Sequence, residues 1–112
     1  QKDLEHYEEA IGFLDKAKAH NADQKEIYNA LGFCYFKIKE HHKAIEAFER
    51  AIEIDPGSGI DYANIGSNLR ELGFYPEAIK LYQMALELDP TIGFARDNLE
   101  RLSLLVKKEI LS

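Results

Sequence analysis

Apolar positions recur along this chain at the three- and four-residue spacing of helices with one buried face. Ile27/Tyr28, Leu31, Cys34/Tyr35 and Ile38 form one such stripe, and Ala44-Ile45, Phe48 and Ala51-Ile52 form the next. Helices are predicted near residues 3–19, 24–38, 42–54, 59–72, 76–88 and 92–110, and no segment requires a strand. Punctuation supports these limits. Pro76 suits the first turn of a helix, whereas Pro56 and Pro90 follow helix ends. Asp23 with Glu26, and Ser58 with Asp61, have the spacing of capping boxes.

The pattern also repeats. At an offset of 34 residues Ala10, Ala44 and Ala78 align, as do Ala17, Ala51 and Ala85, and Leu14, Phe48 and Tyr82. Tyr28, Leu31, Gly32 and Tyr35 return as Tyr62, Ile65, Gly66 and Leu69, and Asp55-Pro56 returns as Asp89-Pro90. Each unit therefore reads as two helices, with glycine in the first and alanines in the second letting their axes approach.

Composition narrows the functional classes. With 112 residues, 46% hydrophobic and 30% charged, the chain suits one ordered domain. A net charge of −6 argues against general nucleic-acid binding, and no apolar run reaches the ~18 residues of a membrane span. The lone Cys34 excludes a disulfide framework and any multi-cysteine metal site. It fits a reducing, cytoplasmic setting, although a leader could lie outside this segment.

The run Tyr28-x-x-Leu31-Gly32-x-x-Tyr35, then Ala44, Phe48, Ala51 and Pro56, resembles the tetratricopeptide repeat. Tyr62-x-x-Ile65-Gly66-x-x-Leu69, then Ala78, Tyr82, Ala85 and Pro90, resembles it again. The resemblance implies an all-α solenoid of antiparallel helix pairs with a right-handed superhelix. It divides a single domain, 1–112, into the second helix of a partial repeat (4–22), full repeats at 25–58 and 59–92, and a capping helix at 93–112. The partial repeat suggests a piece of a longer protein. Lys39 departs from the pattern, standing where the family often has glycine, and His41 stands where Tyr7 and Tyr75 do.

No catalytic constellation emerges from the residues. Gly57-Ser58-Gly59 is explained by a turn, and His41 and His42 point ~100° apart on a helix and do not readily share a metal. No His–x–x–x–His pair or carboxylate constellation accompanies His6 and His20. No enzyme activity, cofactor or metal is expected, and a packed thiol explains Cys34. Arg96, Arg101, Lys107 and Lys108 make the last helix locally basic, but Asp97, Glu100 and Glu109 interleave with them, as on a solvated face.

In this family the first helix of each unit lines a concave groove. Rotating at ~100° per residue from Leu31 places Asn29, Phe33, Phe36 and Lys37 away from the packed stripe. The same rotation in the next unit gives Ile60, Ala63, Ser67 and Arg70, with Asn64 at the edge. In the last helix it gives Phe94, Asp97, Arg101 and Leu104. The peptide-binding set expected is Asn29, Phe33, Phe36, Lys37, Asn64, Ser67, Arg70, Asp97 and Arg101. Phenylalanines supply desolvated area there and asparagines hydrogen-bond a peptide backbone. The alternative for the phenylalanines is packing on the next unit's first helix or on the missing half-repeat.

Co-chaperones of this family grip carboxylates with a lysine–asparagine, asparagine, lysine–arginine clamp. With 24–38, 59–72 and 92–110 as the first helices, the matching positions hold Asn29, Phe33, Asn64, Phe94 and Asn98, and only Asn64 agrees. With the missing helix taken as first, the three remaining positions hold Ala30, Ile60 and Asn64, and none agrees, which argues against chaperone-tail binding. The expected role is a non-catalytic scaffold for a protein or peptide partner, with neither nucleic-acid binding nor membrane insertion. The alternative is self-assembly, through the open N-terminal end or through Leu104, Leu105 and Leu111, which lie outside the stripe of Leu99, Leu102 and Val106.

Overall fold

A computed structural model describes residues 2–21 and 23–111, omitting the side chain of Lys2. Among them all regular structure is helical: α1 (Lys2–His20), α2 (Lys25–Lys37), α3 (His41–Ile54), α4 (Gly59–Glu71), α5 (Tyr75–Leu88) and α6 (Gly93–Leu111). Each boundary lies within two residues of the sequence expectation, because proline, glycine and the loss of periodicity mark the same ends. The chain forms two compact units, residues 1–56 and 57–112, each holding three helices.

In unit 1, Ile27, Tyr28, Leu31, Ala47 and Ala51 form the core, with Ile11, Leu14, Ala17, Tyr35 and Ile54 packed against it. Gly32 lets α2 approach α3, because the ring of Phe48 fills the space that a side chain there would need. Lys25 pairs with Asp55 across the two ends of the α2–α3 hairpin. In unit 2, Ala63, Ala78, Tyr82, Ala85, Ile92, Ala95 and Leu102 form the core. Tyr82 is fully buried, and its phenol shares a 2.7 Å hydrogen bond with the Ser67 hydroxyl. Burial raises the Tyr82 pKa, an effect partly opposed by that hydrogen bond.

The helix starts differ in detail from expectation. Gln24, not Asp23, is the N-cap of α2, and neither Gln24 nor the α4 N-cap Ser58 makes a side-chain capping bond. Asp61 is wholly buried in unit 2, so its carboxylate is not on the surface of a first helical turn. Pro76 occupies the first turn of α5 as expected.

The turns after α2 and α4 share one geometry. Glu40 N–H donates to the Tyr35 carbonyl at 2.8 Å, and Phe74 N–H to the Leu69 carbonyl at 2.9 Å. Lys39 N–H donates to Phe36 and Gly73 N–H to Arg70, completing two Schellman turns. Both central residues are left-handed, with φ of 66° at Lys39 and 86° at Gly73. The first carries a Cβ that this region disfavours. Lys39→Gly is expected to stabilise the chain by about 0.5–1 kcal/mol, the relief of strain exceeding glycine's added unfolded-state entropy. Thermal unfolding checks this, and a lower midpoint would contradict it.

Candidate functional site

An open apolar surface of unit 1 lies between α1 and α2. A cleft of about 670 Å³ is lined there by Ala10, Phe13, Leu14, Glu26, Asn29, Ala30, Phe33 and Cys34. Phe13 is 75% exposed and Phe33 51%, so two aromatic rings stand in water on one small unit. Phe33 holds its place through an edge-to-face contact with Tyr7 at 6.0 Å and the Lys37 ammonium 5.4 Å above its ring. Asn29, Phe33 and Lys37 follow one another at four-residue steps, so they run as a strip along α2.

Phe36 leaves that strip. It is half-buried, with its ring edge-on to His41 of α3 at 5.6 Å. Cys34 is buried, and burial pushes its thiol above its ordinary value, opposite to what a nucleophile requires.

In unit 2 the expected residues separate. Ser67 is buried and engaged by Tyr82, so it supports the fold and is withdrawn from a contact surface. Ala63 is fully buried too. A single-stripe rotation misplaces both, since α4 is covered on more than one side. Asn64 is half-buried, and its backbone carbonyl accepts a hydrogen bond from the Asn68 amide. Arg70 is half-buried, donating to Asn98 at 2.6 Å and pairing with Glu71 at 3.0 Å. Asp97 and Arg101 are exposed on α6, and Phe94 is partly exposed one turn earlier.

Leu104, Leu105 and Leu111 are exposed, together with Ile110, which the sequence reading passed over. Leu104, Lys107, Lys108 and Leu111 line a shallow depression of about 570 Å³. Among the described residues no cluster of His, Cys, Asp and Glu could hold a metal, and no helix is long and apolar enough to cross a membrane.

Two hairpins with glycine opposite a buried ring, each closed by a left-handed turn, are the structural content of the repeated sequence. The tetratricopeptide repeat model matches residues 26–58 and again residues 60–92. The chain belongs to the tetratricopeptide repeat family.

Solved structures carry the same fold. The first tetratricopeptide domain of Spaghetti (RPAP3), bound to the HSP90 peptide SRMEEVD, superposes with a TM-score of 0.87 at 23% identity, covering 94% of this chain and 83% of that one. The Arabidopsis OM64 tetratricopeptide domain gives 0.83 at 23% identity, covering 88% and 81%. The second such domain of human RPAP3, in complex with the HSP70 peptide SGPTIEEVD, gives 0.81 at 24% identity, covering 87% and 81%. No curated protein sequence matches the chain.

Proposed function

We propose that these repeats form a non-catalytic protein-interaction scaffold that takes a partner segment on the exposed face of α2. The observation that carries this reading is the solvent-exposed Phe33, set between Asn29 and Lys37 beside the apolar cleft. A phenylalanine half in water above a concave apolar surface is a ready anchor for a partner side chain. Asn29 and Lys37 fix the register of the segment that fills it. That two structural neighbours are peptide complexes supports the class of function.

The ligand chemistry differs from that of those neighbours. Their peptides end in two glutamates, a valine and an aspartate. The corresponding clamp positions here hold Asn29, Phe33, Asn64, Phe94 and Asn98, none of them cationic. Paired carboxylates need charged donors to offset their desolvation. SRMEEVD is therefore expected to bind more weakly than about 1 mM by calorimetry. A low-micromolar constant would contradict this ligand class.

The direct test compares capture from native lysate by the wild type and by Phe33→Ala, with helicity checked by circular dichroism. A specific partner held by the wild type and lost by the folded variant is the expected result. Equal recovery by both would remove Phe33 from the contact surface. The exposed Leu104, Leu105, Ile110 and Leu111 favour a second reading, self-assembly through α6. In that case sedimentation equilibrium shows a mass that rises with concentration, and Leu104→Ser lowers it.

A further inference from the structure

We draw no further inference here: the strongest candidate, the crevice of about 310 Å³ in unit 1 lined by Tyr28 and Tyr35 of α2 and by three cations, carries none because Lys18 already pairs with Asp15 while Lys43 lies over the Tyr35 ring and Arg50 over the Tyr28 ring, and nothing in the structure shows what would occupy it.

Discussion

Replacing Tyr82 by alanine is expected to destabilise the chain by about 3–5 kcal/mol, the largest single effect in the molecule. Tyr82 is fully buried among Ala63, Ala78, Ala85 and their neighbours, and its hydroxyl is matched to Ser67 at 2.7 Å. Truncation opens a cavity and also strands the Ser67 hydroxyl. Tyr82→Phe separates the two costs, because it keeps the ring and loses only the hydrogen bond, at about 1–2 kcal/mol. A domain of this size holds roughly 5–15 kcal/mol in total, so the alanine variant removes a large share. Amide exchange should accelerate first in α4, α5 and α6, where Tyr82's contacts lie.

Alkali supplies a second readout. Burial raises the Tyr82 pKa above its reference of 10.0, so above that pH the unfolded chain loses a proton that the native chain keeps. This contribution is complete below about pH 10 and falls as pH rises through the native value. Tyr82→Phe should lose that part of the alkaline dependence. Equal stability of the alanine and phenylalanine variants would contradict the packing account.

Gly32→Ala is expected to cost about 1–3 kcal/mol, although alanine is ordinarily the better helix former. A Cβ at residue 32 would stand 2.5, 2.6 and 2.8 Å from three atoms of the Phe48 ring, which is itself only 2% exposed and cannot swing away. The equivalent Gly66 is roomier, with Tyr82 atoms at 3.1–3.2 Å, so Gly66→Ala should cost less. Gly12 provides the control. Nothing lies within 4 Å of a Cβ there, and Gly12→Ala is expected to stabilise α1 by about 1 kcal/mol. Chemical denaturation of the three variants gives the order, and a stabilising Gly32→Ala would contradict close approach of α2 to α3.

Much of this was legible in the residues. Helices, repeats and the close approach of paired helices follow from a periodicity that recurs every 34 positions, and Lys39 stood out at a position where the family often has glycine. Helix caps were not legible. Ser58 has the right spacing to Asp61, yet its side chain makes no capping bond and Asp61 is fully buried.

The exposed faces of the helices were legible in part. Rotation about α2 places Phe33 on the exposed side because α2 has one dominant buried side. It fails at Ser67 and Ala63, because α4 is covered on several sides and has little free face to find. Phe36 required knowledge of a neighbouring helix, since its ring meets His41 at the start of α3. Phe13, the most exposed ring beside the cleft, was readable from the repeat itself, where α3 has Ala47 and α5 has Leu81.

The central claim, that the α2 face receives the partner, is tested most directly by amide chemical-shift mapping with the captured partner segment. The largest changes are predicted along Glu26–Lys37 and at Ala10–Leu14, and Phe33→Ala should abolish them. Changes confined to Leu104–Leu111, with α2 unmoved, would contradict the account.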